Sequence, residues 1–399
     1  MEINRFNMVL VRHGGEIGVK SKKTRTRMIK RLNEIIKYKT ASMGVEHVSH
    51  KYTRTLISGE GMDPIKVAEY IASSIAGVDS TSPVHFFKLT TQEAILEQGF
   101  SYALNFLKTN VSFGFKVRRT GNHSFSSLDI SRLLAEKVIE ESPKEIASTL
   151  KINLTNPDFH FFVEIKYDYC FIYHIKFSGI NGLPTGTQGV LLAELRPWPN
   201  DFLAASLMFR RGTAIIPIFF NTNLQIDIFD IKKFFLDLIN VEGNTDFFNI
   251  ELEKIFIEKW SQTLSKNRLC QACHIFTEKI AESIMLETIN YLGSINGTSF
   301  NDISLGFLKC LEEKPKITRY RPLLLENTDN IPLSYKFINK NYKNYNKCCR
   351  IQDKRYFNDN CTLEPKIVDQ IKLEGKIFAR ELLNEKVQKE NKSIFKIEN

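Results

Sequence analysis

No apolar run in this 399-residue chain approaches the ~18–20 residues that a membrane-spanning helix needs. The N-terminus lacks the charged, apolar and small-residue order of a secretion signal. We therefore expect a cytoplasmic protein with no membrane partner. Cysteine is scarce, with seven residues at positions 170, 270, 273, 310, 348, 349 and 361. An odd number without regular spacing argues against a fold stapled by disulfides. Cys270 and Cys273 form a Cys-x-x-Cys with no second pair like it, so a complete zinc quartet is poorly supported. The two are a redox couple, half of a metal site that Cys348 and Cys349 could complete from a distant loop, or idle buried thiols.

What is present is globular: 43% hydrophobic and 25% charged residues over a length that implies two or three domains. Net charge is +10, and its distribution is uneven. Residues 1–75 carry +7, residues 76–188 balance, and the remainder carries +3. Between Lys20 and Arg31 there are seven basic residues and no acid. Phosphate is the natural partner of such a run, and a solvated helix face is the plainer alternative. Phe113 to Arg119 alternates as a strand with basic outward positions, and Thr120 to Ser127 reads as a turn and a serine-capped helix start. Cations for phosphate, with His123 and Phe125 for stacking, would suit a single-stranded RNA end. Taken singly, His123 is more often structural and Phe125 more often core.

The stretch from 179 to 212 organises the second half. A glycine-rich turn, Gly179 to Gly189, leads into Val190–Leu195, short enough for a buried strand. A six-residue connection, Arg196 to Asp201, precedes an amphipathic segment, Phe202–Arg211, with Gly212 as its C-cap. Strand, tight loop and helix is where α/β proteins hold phosphates, on the free N–H groups of the helix start. Thr213 to Phe220 reads as the next parallel strand.

These segments resemble the tRNA 4-thiouridine synthetase family (tRNA uracil 4-sulfurtransferases). Gly182-Leu183-Pro184, Gly186-Thr187-Gln188-Gly189, Ala204-Ala205, Leu207-Met208 and Arg211-Gly212 match its blocks in order, as does the opening from Val11-Arg12 to Arg25, with one extra glycine. The resemblance implies α+β and α/β architecture in three parts. A ferredoxin-like unit would cover 1–75, a THUMP RNA-binding domain 76–178, and a parallel-sheet PP-loop-type domain with a C-terminal helical extension 179–399. It implies tRNA, at its acceptor end, as partner, with Lys20, Lys22, Lys23, Arg25, Lys116, Arg118, Arg119, His123 and Phe125 on the RNA. A homodimer, a sulfur donor or another modification subunit are further partners it leaves open, and a role in thiamine thiazole synthesis is also associated with the family.

One block departs. The family's Ser-Gly-Gly-x-Asp-Ser is here Arg196-Pro197-Trp198-Pro199-Asn200-Asp201. Two prolines remove N–H donors and fix φ where a pyrophosphate grip needs glycine. Around Asn296 to Asp302, Gly297 and Ser299 survive from a second nucleotide-holding block, while its glutamate, second glycine and glutamines do not. We therefore expect a tRNA-binding relative that has lost uridine adenylation and needs no cofactor, with Arg196, Asn200, Asp201 and Gly297 a degenerate nucleotide site. The alternative is an active ATP-dependent sulfurtransferase, in which Cys348 or Cys349, flanked by Lys347 and Arg350, carries the persulfide.

Overall fold

Strand β1 (Met8–His13) buries four consecutive residues, Val9 to Arg12, so the sheet it belongs to is covered on both faces there. In this computed structural model the described residues are 6–51, 53–88, 91–221, 233, 235–237, 239–240, 247–288, 291–298, 317–322 and 363–394. The chain divides into two compact units, Met1–Leu183 and Pro184–Asn399.

In the first unit β1 is followed by α1 (Gly15–Gly18) and α2 (Lys22–Thr40). Helix α2 starts where Ser21 Oγ accepts from the Thr24 amide. It buries Met28, Ile29, Leu32, Ile35 and Ile36, an i, i+3, i+4 stripe that leaves most of its lysines and arginines, though not Lys39, facing outward. Then come β2 (His47–Lys51), β3 (Arg54–Ser58) and α3 (Pro64–Ser74), capped by Asp63. Strand β4 (Val78–Lys88) is shared. Its first part pairs with β1 and its last four residues pair with β8.

Past it lie α4 (Gln92–Leu104), β5 (Ser112–Thr120), α5 (Ser127–Glu141), α6 (Lys144–Ala147), β6 (Lys151–Ile152), β7 (Phe159–Lys166), β8 (Tyr169–Tyr173) and β9 (Phe177–Ser178). Ser126 and Asp129 close α5 with a reciprocal capping box. The strand order is β2-β3-β1-β4-β8-β7-β5-β6, with β9 on β4. Alternation sends Phe113, Phe115, Phe161, Val163, Ile165, Cys170 and Ile172 beneath α4 and α5.

On the opposite face the sheet curls upon itself. Strands β1 and β7 are three strand spacings apart, ~14 Å in a flat sheet, yet Arg12 Nη2 meets Glu164 Oε1 at 3.0 Å. Arg54 reaches the other oxygen at 3.5 Å, Tyr173 donates to Glu164 at 2.8 Å, and the Arg12 guanidinium lies 4.7 Å from the Tyr173 ring centre. Burial alone would push the Glu164 carboxyl up. Arg12, Arg54 and the Tyr173 hydroxyl outweigh it and hold the group below the usual carboxylate range.

The second unit is built on five parallel strands in the order β12-β11-β10-β13-β14. They are β10 (Val190–Leu195), β11 (Ala214–Phe220), β12 (Phe248–Ile250), β13 (Gly293–Ile295) and β14 (Arg319–Tyr320). Helix α7 (Pro199–Arg210) follows β10, and α8 (Lys266–Glu287) and α9 (Pro365–Ile394) complete the described helices used below. Gly212, at φ 89°, ends α7 in the left-handed conformation that a side chain resists.

One expected boundary moves. Helix α7 begins at Pro199, which leaves a connection of three residues in place of six, because a proline at the first helical position lacks an N–H the helix would not use. Helix α8 begins at Lys266, four residues ahead of Cys270, so the thiols lie inside the helix and away from the positive end of its dipole.

Candidate functional site

Strand order reverses at β10, which has β11 on one side and β13 on the other. In open parallel sheets this reversal opens a crevice beyond the carboxyl ends of the strands, where ligands bind. Here the groups just past β10 bind one another. Arg196, 2% exposed, ends β10 and turns onto Asp201 in the first turn of α7: Nε to Oδ2 is 2.8 Å and Nη2 to Oδ1 is 3.2 Å. Asp201 is fully buried and also accepts the backbone N–H groups of Arg196 (3.1 Å) and Gly297 (2.9 Å). The anion at this helix start is therefore the protein's own carboxylate.

The network continues across the sheet. Arg196 Nη1 lies 2.7 Å from His274 Nδ1. Arginine can only donate, so Nδ1 accepts and His274 Nε2–H donates to Glu278 Oε1 at 3.1 Å. Glu278 also takes Arg321 (2.7 Å), Arg319 (3.1 Å) and the Asn296 amide (3.1 Å), while Arg319 reaches Glu282 at 3.0 Å. Burial opposes ionisation of Glu278, but Arg321, His274 and Arg319 together hold it well below the usual range. Glu194, on β10, feels Arg196, Arg319 and Arg321 only at a distance. It is wholly buried, neither carboxyl oxygen has a hydrogen bond, and burial followed by repulsion from Glu278 pushes it up to about 7. Gly297 passes so close to α7 that an added Cβ would stand 2.1 Å from the Asn200 carbonyl carbon.

In the first unit the expected RNA-binding cations are on the surface. Lys20, Lys22, Lys23 and Arg25 are exposed, and Lys22 and Arg25 line a cavity of about 830 Å³ between α2 and the β2–β3 hairpin. Lys116, Arg118 and Arg119 are exposed along β5. Burial first, then repulsion from Arg54 and Arg118 against the pull of Glu164, lowers the pKa of Lys166. His123 is half-buried, its Nε2 donates to the Tyr167 carbonyl at 2.8 Å, and its ring stacks on Phe125 at 5.3 Å. Phe125 is a correction. It is 7% exposed within the core under α5 and supports His123 from below, where no base can reach it.

Two comparisons of sequence bear on this arrangement. Residues 8–82 match the family described as ThiI ferredoxin-like domain, and residues 101–174 match the THUMP domain. A probable tRNA sulfurtransferase of Methanosarcina acetivorans is 32% identical over 219 residues, 54% of this chain and 52% of that protein. The chain thus spans about half the length of the curated relatives it first matches. Another, from Methanocaldococcus jannaschii, is 25% identical over 345 residues, 82% of this chain and 86% of that one. The chain is similar in sequence to tRNA sulfurtransferases. Among solved structures, a 4-thiouridine synthetase–RNA complex with bound ATP aligns at a TM-score of 0.72 and 17% identity, covering 95% of this chain and 98% of that one. PH1313 from Pyrococcus horikoshii aligns at 0.59 and 21%, covering 84% and 98%. These likenesses establish the shared fold.

Against that fold, Arg196, Asp201 and Gly297 come together, but on one another. Asn200 stands beside Gly297 through its backbone. Cys270 and Cys273 are half-buried against the core between α8 and α9, and among the described residues no three His, Cys, Asp or Glu side chains are grouped to hold a metal ion. Cys348 and Cys349 lie outside the described residues. Sequence reasoning missed His274, Glu278, Arg319 and Arg321. The available signal was the spacing of His274 and Glu278, i and i+4 on one helix.

Proposed function

We propose that this chain is an RNA-binding relative of the tRNA sulfurtransferases whose nucleotide crevice is closed by its own side chains. It binds the acceptor end of tRNA through its first unit and works as a tRNA-binding or modification-accessory protein that needs no ATP. The observation that carries the reading is the buried Arg196–Asp201 pair at the switch point. A triphosphate placed there would meet a buried carboxylate at the helix start and two prolines where amide donors are needed. The exposed cations on α2 and β5 and the THUMP match support RNA as the ligand.

The test is binding of full-length chain to a tRNA acceptor-stem mimic over a salt series. Arg118→Ala with Arg119→Ala should weaken binding several-fold and lower the salt slope by about 2. Unchanged affinity and slope would refute the assignment. A second reading, an ATP-dependent sulfurtransferase, is favoured by the relatives' name; it requires adenylation through a rebuilt loop and a persulfide on Cys348 or Cys349. Restoration of 4-thiouridine in a host lacking its own enzyme would establish it, and Cys348→Ser or Cys349→Ser would abolish it.

A further inference from the structure

The cavity of the first unit contains a group that phosphate binding does not use. His13, on its wall, places Nε2 3.0 Å from Thr55 Oγ1. Thr55 is fully buried and gives its hydroxyl proton to Asn33 Oδ1 at 2.7 Å. A hydroxyl has one proton, so His13 Nε2 carries the hydrogen in this chain of contacts and donates. Nδ1 is left as an acceptor. His50 stacks against the ring at 5.2 Å, on the same wall. Burial, then His50, then Arg54 hold the His13 pKa down at about 4, so the ring is neutral at physiological pH.

A neutral acceptor among Arg25, Lys30 and Arg54 does not serve a phosphate, whose diester carries no proton to donate. It fits a donor on a molecule whose anionic groups those cations hold. In a polynucleotide the ribose 2′-hydroxyl is such a donor, one sugar away from each phosphate, and deoxyribose lacks it.

Building on the RNA-binding reading above, we propose that His13 makes this cavity selective for ribose: its Nδ1 accepts a hydrogen bond from a 2′-hydroxyl of a strand whose phosphates rest on the surrounding cations. The experiment is an anisotropy titration of the full chain with acceptor-stem RNAs carrying 2′-fluoro at one nucleotide at a time. That change removes the donor and keeps the ribose pucker. Wild type should lose about 3–10-fold at one or two positions. His13→Phe should bind all probes alike, and His13→Asn, which retains an acceptor near the Nδ1 position, should recover part of the step. Arg25→Ala should weaken every probe and keep the step. Tight binding of unmodified RNA with no step, or a step that survives in His13→Phe, overturns the assignment and leaves RNA binding standing. Failure of wild type to bind unmodified RNA overturns the RNA-binding reading itself.

Discussion

Replacing Asp201 with alanine removes several contacts at once. Arg196 loses both guanidinium contacts, at 2.8 and 3.2 Å, and the amides of Arg196 and Gly297 lose their acceptor. The guanidinium stays 2% exposed, with His274 and Thr277 as its remaining partners in this network. Removing one member of a buried pair costs about 3–5 kcal/mol and each stranded amide about 1–3, with overlap as the loop relaxes. A net loss of about 4–6 kcal/mol is expected. In Arg196→Met/Asp201→Asn no charge is stranded and the new amide oxygen can accept from Gly297, so most of the loss should return, to within about 1–2 kcal/mol of wild type. Both tryptophans, Trp198 and Trp260, belong to the second unit, so their fluorescence in urea follows that unit alone. A loss under about 1 kcal/mol for Asp201→Ala, or equal losses in single and double variants, would refute the argument, since an open anion site gains from losing a carboxylate.

Other consequences follow from the buried carboxylates. Glu194 is raised to about 7 in the folded chain, so between about pH 4.5 and 7 the unfolded chain sheds a proton that the folded chain keeps. Stability of the second unit should therefore fall by ~3 kcal/mol as pH rises through that window and level off above it; tryptophan-detected melting should show this, and Glu194→Gln should flatten it. Glu164 has the opposite sign. Its depressed pKa stabilises the first unit above the usual carboxylate range and ceases to do so as pH falls. Glu164→Gln should cost about 3–5 kcal/mol and open β1 and β7 together, read as lost amide-exchange protection in both strands.

Much of the fold was legible. Val190–Leu195 and Thr213 to Phe220 read as buried strands from short apolar runs, and Ser126 as a helix cap, because each signal is local. Pro199 misled in the same way: by sequence it falls in the connection, but it serves as the first residue of the helix. Phe125 reads as core when taken singly, and the packing under α5 agrees with that and not with a stacking role. The Arg196–Asp201 network was half legible. The prolines announced the loss of amide donors, but nothing local says that Arg196 would be met by His274 from 78 positions away. The His13–Thr55–Asn33 chain likewise joins two strands and a helix and carries no signature along the sequence.

The central claim is that the crevice beyond β10 is occupied by Arg196 and Asp201. Equilibrium dialysis of the full-length chain against labelled ATP with Mg²⁺, alone and with the acceptor-stem RNA, tests it most directly. No saturable binding at millimolar nucleotide is the predicted result; one mole of ATP bound per chain with a micromolar Kd would contradict it.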